Sequence, residues 1–228
     1  MNKLIKIITI LALLIFTSGC EEKPIGKITK DTYNLKSEMD PRLKAYPEAV
    51  EWYENSDMDK VSAYNLGVIY QNKIKDYYEA ISWYKKAISM GYNKATLGLG
   101  NSYRNLKDYQ NAIKWYLLDD SIDSLFNIGL LYNRELKDYQ NAIKYYKLAI
   151  ERESDESIKG ISWLYHQNLN DDIRASAYMI NLVEYDETKD KIISFLKEKW
   201  NLSDETIKKG YELQLTMPGL PRRYKGGI

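Results

Sequence analysis

The sequence predicts an all-α fold in which short antiparallel helix pairs stack one on the next. Three observations predict it. A pattern of small, aliphatic and aromatic residues recurs at helical spacing, aspartates stand where second helices should begin, and no alternating apolar–polar run marks a strand. The first-helix pattern is a small residue, an aliphatic four later, a small residue next and Tyr three beyond. It occurs at Ser62, Leu66, Gly67, Tyr70; at Ala95, Leu99, Gly100, Tyr103; at Ser124, Ile128, Gly129, Tyr132; and at Ser157, Ile161, Ser162, Tyr165. The second-helix pattern is Ala, an aromatic three later, then Tyr. It occurs at Ala49, Trp52, Tyr53 ahead of the first complete unit, then at Ala80, Trp83, Tyr84; Ala112, Trp115, Tyr116; and Ala142, Tyr145, Tyr146. A decayed copy is Ala175, Tyr178, Met179. From first-helix Tyr to second-helix Ala the spacing is 10, 9, 10 and 10 residues. Spacing held over four copies defines a repeat array.

Each element has a local reason. Spacings of three and four put the signature residues on one helical face. Gly and Ala let two backbones approach, and the Trp-Tyr pairs fill the core beside them. Asp76, Asp108 and Asp138 are N-caps for the second helices, with Glu79 completing a capping box. Gly91 suits the left-handed residue that ends a helix. Unit two is irregular: Ala112 to Ser124 is 12 residues, where Ala80 to Ala95 and Ala142 to Ser157 are 15. Asp119 stands where Ala87 and Ala149 stand, so the junction Leu118–Ser124 should be tight. The acidic cluster Asp119, Asp120 and Asp123 reads as capping plus solvation. Beyond Leu182 the pattern fades. Lys189–Trp200 and Ser203–Thr216 each read as a helix, with Ser203 a cap, and close the array with a polar outer face. Met217–Ile228, with two prolines and three glycines, reads as an extended tail.

The amino terminus reads differently. Lys3 and Lys6 precede a ten-residue apolar run, Ile7–Phe16. As a helix it would span about 15 Å, half the hydrocarbon of a bilayer, which suits a signal-peptide core. Thr17-Ser18-Gly19-Cys20 resembles a bacterial lipobox, with Thr17 in place of the usual Leu. That resemblance makes Cys20, the sole cysteine, the lipidated first residue of the mature chain. Glu21, rather than Asp, after it implies the outer membrane where a cell has two. The expected domains are a signal peptide over 1–19, Cys20 with a tether over 20–40, the solenoid over 41–186, capping helices over 187–216 and the tail over 217–228.

The repeat units resemble Sel-like (suppressor-enhancer-of-lin-like) repeats, relatives of tetratricopeptide repeats. Ala80, Trp83, Tyr84, Ala87, Gly91, Ala95, Leu99 and Gly100 carry the resemblance, which covers about Tyr46 to Leu182. It implies a right-handed α-solenoid whose first helices line a concave groove. Transferred by position relative to the Leu-Gly pair, the groove residues are Tyr64, Val68 and Gln71; Leu97, Asn101 and Arg104; Phe126, Leu130, Asn133 and Arg134; and Trp163 and His166. Aromatics, amides and arginines together suit a protein-binding surface. Arg222, Arg223 and Tyr224 are a second candidate patch.

Composition narrows the function. The formal charge is +1, and removing residues 1–19 with Lys3 and Lys6 turns it to −1. No strong field is available to bind nucleic acid. The one histidine, His166, has no triad beside it in sequence, and no His-Glu-x-x-His, Cys-x-x-Cys or phosphate-cradling loop occurs. The expectation is a non-enzymatic lipoprotein of the bacterial envelope that binds another protein, without cofactor, metal, nucleic acid or small-molecule substrate. Some Sel-like lipoproteins resemble immunity proteins that neutralise secreted lipase toxins in the periplasm, which implies that role as the sharper reading. A scaffold for envelope assembly or stress signalling is the alternative, and a cell-wall enzyme the third.

Overall fold

Eleven α-helices and no strand make up the described residues, which in this computed structural model are 38–55, 58–184 and 186–228. The signal-peptide reading of 1–19, lipidated Cys20 and the tether up to residue 37 lie outside them. The helices are α1 (Pro47–Glu54), α2 (Lys60–Ile69), α3 (Tyr77–Ser89), α4 (Ala95–Asn105), α5 (Tyr109–Asp119), α6 (Ile122–Leu131), α7 (Tyr139–Ile150), α8 (Asp155–Gln167), α9 (Asp172–Ile180), α10 (Asp186–Glu198) and α11 (Asp204–Thr216). A short 3₁₀ turn, Pro41–Ala45, precedes α1. Each helix from α2 to α9 packs on the next, which is the nesting of a solenoid of antiparallel pairs. Asp40–Ile228 forms one compact unit.

The repeat residues sit where their chemistry requires. Leu66, Leu99, Ile128 and Ile161 are fully buried, as are Ala80, Ala112, Ala142 and Ala175. The second-helix tyrosines Tyr84, Tyr116 and Tyr146 are at most 1% exposed. Each lies flat against a glycine of its own first helix. A Cβ on Gly67 would come 2.7 Å from the Tyr84 ring, and one on Gly100 or Gly129 would come 2.6 Å from Tyr116 or Tyr146. The following unit adds a second contact: Gly98 meets the phenol end of Tyr84, and Gly160 that of Tyr146. At the equivalent place beside Tyr116, α6 carries Asn127. In the fourth pair Ser162 replaces the glycine, and its Oγ donates to the Ala175 carbonyl at 2.5 Å.

The turns within pairs are built alike. In all four, the first-helix Tyr carbonyl accepts the amide of the cap aspartate: Tyr70 from Asp76 (3.0 Å), Tyr103 from Asp108 (2.9 Å), Tyr132 from Asp138 (3.0 Å) and Tyr165 from Asp171 (2.9 Å). Asp76, Asp108 and Asp138 then accept from the amides of Glu79, Asn111 and Asn141. Asp171 does the same for Arg174. Since the Asp76 amide is spent on Tyr70, the expected return bond from Glu79 is not made. In the first and third pairs the spacing of 10 rather than 9 is absorbed by a widened π turn, at Tyr70–Ile74 and Tyr132–Leu136; the second pair, at 9, lacks it, and the fourth, also at 10, closes from Asp171 to Tyr165 without one.

Junctions between pairs differ. Gly91 ends α3 at φ +84°, with the Tyr92 amide returning to Ala87. The junction after α5 is tight as expected: left-handed Asp120 is followed at once by Ser121, which caps α6. Asp119 replaces a core alanine because its carboxylate gathers three hydroxyls, those of Thr96 (3.1 Å), Ser124 (2.8 Å) and Ser121. Asp120 is held by Arg152, which also donates to its carbonyl at 2.5 Å.

The carboxyl-terminal pair closes the array. Ser203 caps α11 through the Thr206 amide. A Cβ on Gly210 would run into Ser176 and the Ala177 backbone, so α11 lies directly on α9. Residues after Met217 are without helix, as expected, but they are docked rather than free. Leu220 is buried with Tyr146, Ile150, Ile158 and Tyr178. Gln214 donates to the Tyr224 carbonyl at 2.6 Å, and Tyr211 accepts the Gly227 amide at 3.2 Å.

Candidate functional site

Apart from Arg134, the groove residues fall on three rungs, the first occupied in three first helices and the other two in all four. Tyr64, Leu97 and Phe126 form the first; Val68, Asn101, Leu130 and Trp163 the second; Gln71, Arg104, Asn133 and His166 the third. Steps of four and three residues keep the rungs on one face of each helix.

The first rung leans on the second-helix tyrosines. Tyr64 lies 5.7 Å from Tyr84 and 5.1 Å from Tyr92 between ring centres, and Phe126 lies 6.0 Å from Tyr146. Leu97 packs on the cluster of Ala112, Tyr116, Ile128 and Leu131. The second rung is mixed: Asn101 accepts the Tyr116 hydroxyl at 2.7 Å, while Leu130 joins the next core cluster. The third rung ties neighbouring units together. Gln71 accepts from Ser102 at 2.9 Å, and Arg104 donates to Asn127 at 3.4 Å.

At the end of the face the geometry changes. His166 Nδ1 lies 2.6 Å from Asp172 Oδ1, and its ring stacks on Trp200 at 4.2 Å and 9°. Trp163 meets Trp200 edge-on at 5.0 Å and Phe195 at 6.1 Å. The closing helix α10 and the loop after it therefore cover part of the fourth unit's face. Trp163 stays 38% exposed, and Arg134 is exposed one residue past the third rung. All the other groove candidates are half-buried.

Burial governs the electrostatics. It pushes the Tyr116 and Tyr146 phenols up to about 12, with Arg104 opposing it at the first and Asn133 and Arg134 at the second. Tyr84 and Tyr178 rise further for the same reason. Among the described residues, no three His, Cys, Asp or Glu converge as they would around a metal ion. No described helix is long and apolar enough to cross a membrane.

The second candidate patch is largely engaged. Arg222 bonds to both Asp155 and Glu184, and Tyr224 meets Tyr211 edge-on at 6.4 Å. Sequence reasoning missed the residue ahead of each cap aspartate. Lys75, Lys107 and Lys137 all take left-handed backbone, at φ 63°, 62° and 56°. Such a conformation costs a residue with a Cβ about 1 kcal/mol or more. The signal was the Lys-Asp pair repeated in KDYYEA and twice in KDYQNA.

Two repeat-family models agree with this architecture. A Sel1 repeat model matches residues 60–92, and a tetratricopeptide repeat model matches 94–118 and 122–156. No curated protein matches the sequence. Among solved structures, a protective antigen present in uropathogenic Escherichia coli strains, displaying an SLR fold, aligns at 20% identity and TM-score 0.48. That alignment covers 68% of this chain and only 37% of the antigen. A Sel1 repeat protein from Oxalobacter formigenes aligns at 22% identity and TM-score 0.46, covering 76% of this chain and 81% of that one. Residues 60–156 are thus built of Sel1 and tetratricopeptide repeats, set in an all-α solenoid.

Proposed function

We propose that this chain is a non-enzymatic envelope lipoprotein, held by acylated Cys20, that binds another protein along the face of its first helices. Repeats of this type bind other proteins. The observation that carries the reading is the three-rung ladder: successive first helices place half-buried aromatic, aliphatic and polar side chains at the same positions, and Arg134 and Trp163 stand out into solvent. An exposed Trp and Arg on a preformed surface are the residue types that dominate binding energy at interfaces.

The test is affinity capture from the native host with the folded unit, compared with a form carrying Arg104→Ala, Phe126→Ala, Arg134→Ala and Trp163→Ala. Loss of a partner on the changed face is expected; an unchanged set of partners would remove the face from consideration. Incorporation of labelled palmitate at Cys20 tests the anchor separately. The sharper reading is neutralisation of a secreted toxin in the periplasm. Under it, deleting the gene sensitises cells to their siblings, and a toxin gene lies alongside. Survival equal to the parent's would favour the scaffold reading.

A further inference from the structure

The segment 217–228 docks on the helices but fills its seat poorly. A cavity of about 220 Å³ remains beneath it, with Ile150 and Tyr178 on the helix side and Pro218, Gly219 and Leu220 on the other. Exposed Lys147 and Glu151 complete the lining. Packed interiors leave few voids larger than a water molecule. Leu220 is the single buried residue of the segment. A second deficit lies at Gln214, which is fully buried. Its Nε2 donates to the Tyr224 carbonyl at 2.6 Å, but its Oε1 meets no donor among the described residues. A buried acceptor left unpaired costs stability, so a better occupant would make that bond.

The seat nevertheless has a readable pattern. Leu220 enters the hollow of Tyr146, Ile150, Ile158 and Tyr178. Two residues on, Arg222 bonds both Asp155, at the start of α8, and Glu184, past the end of α9. Residues 220 and 222 thus face the helices together, as alternate residues of an extended segment do. The segment leaves α11 through Met217, Pro218 and Gly219, all outside the helix, so it can swing away with α11 in place. Ile150 and Tyr178 belong to the second helices α7 and α9, so the cavity is separate from the first-helix rungs.

We infer that this seat is a second peptide-binding site, held closed by the chain's own segment. Its ligand is an extended segment of another protein, with tyrosine or tryptophan in the place of Leu220 and arginine two residues later. The ring would fill the space that leucine leaves. Its apolar body would lie on Ile150 and Tyr178, and its polar tip would reach the wet rim at Lys147 and Glu151, the divided setting that suits these two residue types. The Asp155 and Glu184 pair fixes register through the arginine, and a backbone N–H of the ligand would reach Gln214 Oε1. The inference goes beyond the first-helix face and does not depend on it.

The test is fluorescence anisotropy of a labelled peptide of residues 217–228 carrying Leu220→Tyr, titrated with the compact unit Asp40–Ile228. In the unchanged protein the segment competes in cis at millimolar effective concentration, so binding is weak. Leu220→Ala in the protein loosens the segment and should tighten peptide binding about tenfold, with circular dichroism checking helix content. Adding Asp155→Asn and Glu184→Gln should weaken it again. Leu220→Tyr in the protein itself should do the opposite of Leu220→Ala: it fills the cavity, raises the melting temperature by about 2–4 °C and shuts the peptide out. A lower melting temperature for that variant would show that the space cannot take a ring and would overturn the inference. So would a folded Leu220→Ala protein that binds the tyrosine peptide no better than a peptide carrying Leu220→Ala. Dimerisation of the Leu220→Ala protein in place of peptide binding would assign the seat to a second copy and overturn it equally. None of these results bears on Arg134 and Trp163, whose face is read by the capture experiment.

Discussion

At the scale of the residue, the fold turns on glycines that exist to admit a ring. Gly100 has ordinary helical backbone, so alanine would raise helix propensity there by about 1 kcal/mol. The added carbon would lie 2.6 Å from Tyr116, and overpacking of that kind costs about 1–3 kcal/mol. Clash outweighs propensity because Tyr116 is fully buried and hydrogen-bonded to Asn101, leaving it nowhere to move. Gly100→Ala should therefore lower the melting temperature, and Tyr116→Leu in the same chain should recover part of the loss. A double mutant no better than the sum of the two single changes would show that the contact is not the cause. The tyrosines also set a response to alkali. A phenol whose folded value is raised stabilises the fold fully below its unfolded value near 10, and that stability is lost as pH rises through the folded value. For Tyr116 and Tyr146 the window runs from 10 to about 12, worth about 3 kcal/mol for each phenol. Phenolate absorbance should rise together with loss of helical ellipticity across that window, and Tyr116→Phe should make the transition shallower.

At the scale of the element, the docked tail separates apolar from ionic contributions. Leu220 is 9% exposed, and burying a leucine is worth about 1.5–3 kcal/mol. Arg222 has two acidic partners, but all three groups are more than a third exposed, and exposed pairs contribute about 0–1 kcal/mol. Leu220→Ala should accordingly destabilise more than Arg222→Ala. It should also raise hydrogen exchange in α8 and α9, on which the tail lies; the reverse order would place the strength of the strap in its charges. This element also marks where sequence reasoning stops. Prolines and glycines in Met217–Ile228 specify an absence of helix, which is a local property and was legible. Where Leu220 comes to rest depends on a hydrophobic hollow formed by three distant helices, and no local pattern reports that. The same division holds for the candidate face. Helical periodicity put Tyr64, Leu97 and Phe126 on first helices, and the resemblance to Sel-like repeats, by position relative to the Leu-Gly pair, put them on the groove face. That Gln71 and Arg104 would be engaged by the next unit, and His166 by Trp200, depended on contacts between elements. The π turns were half visible: the spacing of 10 against 9 was plain, but its meaning needed the bond from cap aspartate to tyrosine carbonyl.

At the scale of the whole molecule, the array is held by local contacts, each unit touching its neighbours. Stability should then spread from the middle outward, with the ends opening first unless they are capped. Among the described residues, the carboxyl end has α10, α11 and the tail as its cover, and the amino end has α1 and the short turn before it. Hydrogen exchange should show α1 opening ahead of α9, and equal protection at both ends would contradict this one-dimensional picture.

The contact of Tyr84 and Tyr146 with glycines of two successive first helices has a consequence for how such a chain can gain or lose modules. Excising Ala95–Asp123 would set α6 against α3 and bring Asn127, side chain and all, to the spot beside Tyr84 that only a hydrogen-sized Gly98 now fits. Excising Ser124–Glu156 would instead bring Gly160 beside Tyr116, to the place where the larger Asn127 is now accommodated. Lineages of this array should therefore shorten by losing the third module and keep the second.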